Sequence, residues 1–251
     1  MTDAQYFSQR LRAGETLYGT LVSLPSAEIC EVLAEIGYDW LFIDAEHGAF
    51  NPQQAQGMLQ AAAPTPCVIR VPAGEPIWIK KALDIGAAGV IVPQVHTAEQ
   101  ARTIIHNCKY SPAGDRGVGI GRAHKYGLEF ERYLKHANEE TAVILQAESE
   151  QAIANIDEIA ALDGVDAILI GPYDLSASLG KPGEINDPVV QNAIDKVISA
   201  CQHNDIKLGY FGVTAEAVLP YKAKGFTLLT VGVDAAFVIQ SASQCLNNIR
   251  G

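Results

Sequence analysis

The 251-residue chain has no CxxC pair, no surplus of basic residues and no apolar run long enough to cross a bilayer. Each absence narrows the field. The five cysteines, at 30, 67, 108, 201 and 245, are odd in number and widely spaced. They argue against a disulfide framework and a cysteine-based zinc cluster, and favour a reducing cytoplasm. Lys and Arg total 18 against 29 Asp and Glu, a net charge of −11. That charge repels phosphate backbones and anionic lipid heads, so neither nucleic acid nor a membrane is expected as a partner. It does not exclude a small anionic substrate, because a local site can oppose the global field. The opening segment "MTDAQYFSQRLRAG" lacks the apolar stretch of a signal peptide, and no segment reaches the roughly 18 apolar residues of a membrane span. A soluble, cytoplasmic protein is the expectation. With no internal repeat and no low-complexity linker, residues 1–251 read as a single domain.

Present instead is a regular alternation of two patterns. Short apolar runs rich in β-branched residues occur near 18–24, 40–44, 67–71, 89–93, 143–148, 167–171, 208–211 and 228–231. Helical periodicity fills the gaps near 26–37, 52–62, 75–86, 97–108, 151–162, 188–203, 215–225 and 234–249. Ser26, Thr97 and Asp187 are placed as N-caps, and "EIGYD", "DIGAAG" and "AKGF" put Gly where helices end. The strands are continuously apolar, as parallel strands covered on both faces should be. Eight strand–helix pairs predict an α/β fold, a closed (β/α)₈ TIM barrel; a doubly wound open sheet shares the alternation. The longest interruption, around 110–140, contains "YSPAGDRGVGIGRAHKYG" and a short helix near 129–138. Long insertions of this kind commonly shape an active site.

In such barrels the chemistry gathers at the C-terminal ends of the strands. The second strand runs "LFIDAEHG" into Asp44, Glu46 and His47; the third ends in Arg70; the fifth carries Gln146 and Glu148; the sixth leads into "GPYD" with Asp174. A lone strand-end carboxylate often only caps the next helix. Carboxylates, an amide, a guanidinium and a histidine on one rim point to a ligand. Glu148 and Asp174 are hard oxygen donors with no cysteine nearby, which favours Mg²⁺ or Mn²⁺ over structural zinc. Two protein carboxylates leave about four octahedral positions open, two of which a 2-oxo acid can fill.

These residues, in this order, resemble the HpcH/HpaI family of class II pyruvate aldolases. The matching pieces are "DWLFIDAEHGAFN", "VIRVP", "IKKALDIGAAGVIVPQV", "YSPAGDRGVG", "ILQAE", "GVDAILIGPYDLSASLG" and "VGVD", spread over nearly the whole chain. The resemblance implies a barrel of the phosphoenolpyruvate/pyruvate-binding type that cleaves 4-hydroxy-2-oxo acids, such as 4-hydroxy-2-oxoheptanedioate or 2-keto-3-deoxy sugar acids, to pyruvate and an aldehyde. It implies a divalent metal (Mg²⁺ or Mn²⁺, with Co²⁺ also compatible), no Schiff-base lysine and no organic cofactor. By motif, Glu148 and Asp174 correspond to the metal ligands, His47 to the general base and Arg70 to the group that stabilises the enolate. Gln146, Tyr173, Arg70 and Asp174 correspond to substrate-binding positions. Asp84, in "IKKALDIG", corresponds to the acid that raises the basicity of the histidine, a role that nothing in its own surroundings suggests. The resemblance also implies an assembly in which the last helix packs on a neighbouring subunit, giving a homohexamer. Tyr173 departs from the pattern, since a small residue is common there, and "QAES" replaces "QIET".

Three other readings have discriminating features. A Schiff-base aldolase needs a desolvated lysine at a strand's C-terminal end, whereas Lys207 precedes the seventh strand. An acyl-CoA lyase of the same superfamily needs a nucleotide pocket, and no basic cluster suggests one. A non-catalytic anion-binding barrel would use the backbone N–H groups of "GDRGVGIG".

Overall fold

The computed structural model describes residues 3–251. Eight parallel strands close on themselves in chain order. They are β1 (Leu17–Val22), β2 (Trp40–Asp44), β3 (Cys67–Arg70), β4 (Gly89–Val92), β5 (Ala142–Ala147), β6 (Ala167–Ile170), β7 (Lys207–Gly212) and β8 (Leu228–Val233). The last strand pairs with the first, with a register shift between Gly19 and Leu21. This closed (β/α)₈ barrel settles the choice against an open sheet. Each predicted strand is found within a few residues of its expected ends.

The strands form because both of their faces are buried. One set of side chains, including Leu21, Phe42, Val68, Ile91, Ile144 and Leu169, packs inside the barrel; another, including Ile43, Ile69, Val90, Leu145 and Ile168, meets the surrounding helices. Continuous apolar sequence is what such two-sided burial requires. The floor of the barrel is closed by Trp40, against which Phe7 of the N-terminal helix packs at a ring distance of 5.7 Å. Gly19 makes room for that indole, because a Cβ there would lie 2.5 Å from it. The helix carrying Phe7, Asp3–Arg12, falls outside the predicted set.

Ser26, Thr97 and Asp187 cap their helices through side-chain oxygens, as their sequence positions suggest. Two helical expectations need correction. The segment 151–162 is two short helices, Glu150–Ala154 and Ile156–Ala160. Asn155 interrupts them, at φ −101° and ψ 10°, and its side chain donates to His96 O at 2.8 Å. A further short helix, Pro172–Ser178, opens directly after β6.

The insertion lies elsewhere than expected. It follows the helix Ala98–Cys108 and precedes β5, so it sits at the N-terminal end of the barrel, opposite the rim formed by the C-terminal ends of the strands. Arg116 within it pairs with Asp84 at 2.9 Å, and Arg122 donates to Ile85 O at 2.9 Å. Among the described residues no helix is long and apolar enough to cross a membrane. The final helix, Asp234–Arg250, touches the barrel only through its first residues. Asp234 accepts from Ser23 N, Ser23 Oγ and Leu24 N at 3.0, 2.8 and 2.9 Å. Every residue from 238 to 250 is exposed, including Val238, Ile239, Leu246 and Ile249.

Candidate active site

The barrel register builds the site. Asp44 and Arg70 are Cα partners at the ends of β2 and β3, and both are buried at the barrel mouth. Arg70 Nε and Nη2 donate to the two oxygens of Asp44 at 2.8 and 2.7 Å. Arg70 Nη1 lies 3.2 Å from Glu46 Oε2. Burial opposes the guanidinium charge. Hydrogen bonding and attraction from Asp44, with Glu46 and Glu148 adding, outweigh it and hold the Arg70 pKa above its ordinary value.

On the opposite wall, β5 presents Gln146 and continues into Glu148, both buried. Gln146 Nε2 donates to Glu148 Oε2, and Gln94 N donates to Glu148 Oε1 at 2.7 Å. Gln94 adopts φ 57°, a left-handed conformation that aims its N–H at the carboxylate. Burial pushes the Glu148 carboxyl up to about 7, and repulsion from Glu46 and Asp174 adds to the rise, against the Gln94 and Gln146 hydrogen bonds. Glu46 is raised as well, by burial first and then by Asp44 and Asp174, against the pull of Arg70 and His47. Gly171 lets β6 approach this pair closely: a Cβ there would lie 2.8 Å from Gln146 Nε2 and 3.0 Å from Glu148 Oε2.

A cavity of about 170 Å³ opens between these walls. Five predicted site residues line it: His47, Arg70, Gln146, Tyr173 and Asp174. Its apolar surface comes from Leu21, Phe42, Leu169 and Phe211, among others. His47 stands on the loop after β2 with its side chain 68% exposed and Nε2 3.8 Å from Glu46 Oε2. Asp174, in the first turn of the helix Pro172–Ser178, is exposed on the cavity side.

The donor set suits a hard divalent cation. Repulsion from Asp174 and Glu46 at the buried Glu148 is a charge imbalance that such an ion would relieve. Gln146 Oε1 is buried without a hydrogen-bond partner. Among the described residues no three His, Cys, Asp or Glu side chains are grouped closely enough to hold a metal ion by themselves.

Of the two predicted site residues outside the cavity lining, Glu148 lies directly behind it, bonded to Gln146, whereas the fold carries Asp84 away from the cavity altogether. It ends the helix Pro76–Asp84, which runs back from the rim, so it lies at the opposite end of the barrel from His47 and pairs there with Arg116. The expected His47–Asp84 pair is therefore not formed within one chain. Lys207 opens β7 and pairs with Asp205 at 2.7 Å. In the Gly-rich "GDRGVGIG", three N–H groups are already spent within the chain, Asp115 N, Arg116 N and Gly121 N on His106 O, Lys109 O and His124 Nε2. Sequence reasoning noted Asp44 and Glu46 without giving them a role, and passed over Gln94 and Gly171. Only the strand register exposes the first, and only the backbone conformation exposes Gln94.

Comparison with known proteins agrees with this geometry. The HpcH/HpaI aldolase/citrate lyase family matches residues 18–241. The chain is 40% identical over 244 residues to a 2-keto-3-deoxy-L-rhamnonate aldolase of Klebsiella pneumoniae, covering 96% of this chain and 91% of that one. It is 37% identical over 249 residues to a hydroxypyruvate/pyruvate aldolase of Pseudomonas aeruginosa, covering 98% and 92%. The crystal structure of an HpcH/HpaI aldolase/citrate lyase family protein from Burkholderia cenocepacia superposes with a TM-score of 0.94 at 37% identity, covering 98% of this chain and 100% of that one. The chain belongs to the HpcH/HpaI aldolase/citrate lyase family.

Proposed function

We propose that this protein is a class II pyruvate aldolase, reversibly cleaving 4-hydroxy-2-oxo acids, among them 2-keto-3-deoxy sugar acids, to pyruvate and an aldehyde. The observation that carries the reading is a buried, doubly anchored guanidinium, Arg70, lining a cavity that also receives His47, Gln146 and Asp174. Relatives named for 2-keto-3-deoxy-L-rhamnonate and for hydroxypyruvate/pyruvate support the substrate class.

Glu148 and Asp174 would hold a divalent cation, Mg²⁺ or Mn²⁺ with Co²⁺ also compatible; when bound it supplies Lewis-acid polarisation of the 2-oxo group. His47 takes the proton of the C4 hydroxyl, directly or through water. The C3–C4 bond then breaks: the C4 oxygen becomes the aldehyde carbonyl, and the bond's electron pair passes to the pyruvyl fragment as its enolate. Arg70 meets the charge developing on the C2 oxygen with a guanidinium fixed before the reaction starts. Arginine suits this task because it stays charged at any working pH and its planar fork is held in place. Gln146 orients the 2-oxo acid and Tyr173 borders the acceptor side. Return of a proton to C3 gives pyruvate, and the reverse sequence is aldol addition.

The carboxylate partner of His47 is, in this reading, Asp84 of a second copy, since the chain's own Asp84 lies at the far end of the barrel. The exposed apolar side chains of the helix Asp234–Arg250 support a homo-oligomer, a hexamer by resemblance. Native mass measurement tests it, with a monomer as the contrary result. The activity is tested with a panel of 4-hydroxy-2-oxo acids coupled to pyruvate detection, with and without EDTA. Pyruvate release that EDTA stops and Mg²⁺ or Mn²⁺ restores is expected. No pyruvate from any member of the panel would overturn the reading.

A further inference from the structure

We propose that Asp44 is the positioning residue of the site, locking the guanidinium of Arg70 and the turn that carries His47 into one rigid unit. The inference rests on the role given to Arg70 above. Three observations converge on it. The β2–β3 register sets Asp44 directly beside Arg70, so the pair follows from strand pairing and needs no loop to hold it. The contact is a two-point fork, Nε to Oδ1 and Nη2 to Oδ2 at 2.8 and 2.7 Å. Such a fork fixes the plane of the guanidinium as well as its position, which a single hydrogen bond does not. The same Oδ1 also accepts from the backbone N–H groups of Glu46 at 3.1 Å and His47 at 3.4 Å.

Asp44 thus holds both groups assigned to the chemistry from behind, the guanidinium by its two-point fork and His47 through the backbone of its turn, whereas Glu46 meets the same two groups only at their outer atoms, Arg70 Nη1 and His47 Nε2, at 3.2 and 3.8 Å. The two Asp44 oxygens are engaged with Arg70 and the turn, and Asp44 is absent from the cavity lining. Glu46 differs: it contacts Arg70 Nη1 from the solvent side and is half-buried. With Asp44 holding Nε and one Nη2 hydrogen, the remaining guanidinium hydrogens on the Nη groups are left for Glu46 and for substrate. Arg70 stands over the Phe42 ring at 5.3 Å, so its face is supported while its edge is set by Asp44. A small rotation of that edge would move the donors away from the C2 oxygen without altering the rest of the site.

A competing explanation is that Asp44 only balances the buried Arg70 charge. Asp44→Glu separates the two, because it keeps the charge and lengthens the arm. The test measures pyruvate release from 4-hydroxy-2-oxoheptanedioate in Asp44→Asn, Asp44→Glu, Arg70→Lys and the Asp44→Asn/Arg70→Lys double variant, with Mn²⁺ affinity measured alongside. If Asp44 positions Arg70, both Asp44 variants lose roughly 10²-fold in kcat, with KM changing far less and Mn²⁺ affinity staying within about twofold. In the Arg70→Lys background the fork is already lost, so Asp44→Asn adds less than about twofold. Wild-type kcat in Asp44→Glu, additive losses in the double variant, or Mn²⁺ affinity falling in step with kcat would each overturn the proposal. Should Asp44→Asn not fold, Asp44→Glu, which retains the buried pair, decides alone. Arg70→Ala tells the two readings apart: a wild-type rate there defeats the assignment of Arg70 itself, whereas an inactive Arg70→Ala beside an unimpaired Asp44→Glu defeats only the positioning role.

Discussion

Glu148→Gln removes a buried charge while keeping the shape of the side chain. In the folded chain, burial and the neighbouring carboxylates Glu46 and Asp174 raise Glu148 from 4.5 to about 7. A raised carboxyl favours its protonated form in the folded state. Below pH 4.5 the folded and unfolded chains are both protonated there and the site has no cost. As pH rises from 4.5 towards 7 the unfolded chain ionises first, so the folded state loses stability, and above about 7 the full penalty is in place. The gap corresponds to roughly 3 kcal/mol. A glutamine at 148 still accepts from Gln94 N. Its amide nitrogen can donate to Gln146 Oε1, the atom that now lacks a partner, once the Gln146 amide turns over. In EDTA at pH 8 the variant should therefore be more stable than the wild type by up to about 3 kcal/mol, or roughly 6–12 °C in Tm for a chain of this size. The difference should shrink to nothing near pH 4.5. Added Mg²⁺ should raise the Tm of the wild type and leave the variant unmoved, and pyruvate release by the variant should be lost. Thermal melts across pH 4.5–8, with and without Mg²⁺, measure all of this. A variant that melts at or below the wild type at pH 8 in EDTA, or a gap that does not change with pH, would refute the idea that function places an uncompensated charge at Glu148.

Three other substitutions probe separate parts of the account. Arg70→Ala should lower kcat by roughly 10²–10³-fold while the far-UV spectrum is unchanged; a normal turnover number would remove Arg70 from the chemistry. Gly171→Ala would press on Gln146 Nε2 and Glu148 Oε2 and should weaken Mn²⁺ binding by roughly 10–100-fold, as followed by the loss of free-ion signal in an EPR titration; unchanged affinity would count against Glu148 as a ligand. Gly19→Ala would drive a methyl group into the Trp40 ring and should cost about 1–3 kcal/mol by urea denaturation, with unchanged kcat in the protein that remains folded, because the barrel floor is remote from the cavity.

The fold was legible because most strand residues are buried on both faces, fully so in β2 to β6, and a run such as "WLFID" cannot be mistaken for an amphipathic surface element. Harder to read were features set by a single polar contact. The break at Asn155 depends on one hydrogen bond to His96 O, and the helix after β6 hides inside "GPYD", where Pro172 begins a turn that also delivers Asp174. The rim residues His47, Arg70, Gln146 and Asp174 were accessible to reasoning from strand ends, since that rule needs only the strand direction. Asp84 and the insertion were not. Strand–helix alternation implies that the end of Pro76–Asp84 faces away from the rim, but the residue types around Asp84 give no hint of Arg116 as its partner. The fork between Asp44 and Arg70 depends on which residues of β2 and β3 stand side by side, a register that no local pattern records.

The account turns on whether Glu148 and Asp174 jointly bind one divalent ion beside Arg70. Anomalous diffraction from crystals soaked in Mn²⁺ measures this directly. A single peak within about 2.0–2.3 Å of an oxygen from each side chain, as expected for a hard divalent ion, is the predicted result. No peak there at saturating Mn²⁺, or a peak bound by other residues, would contradict it.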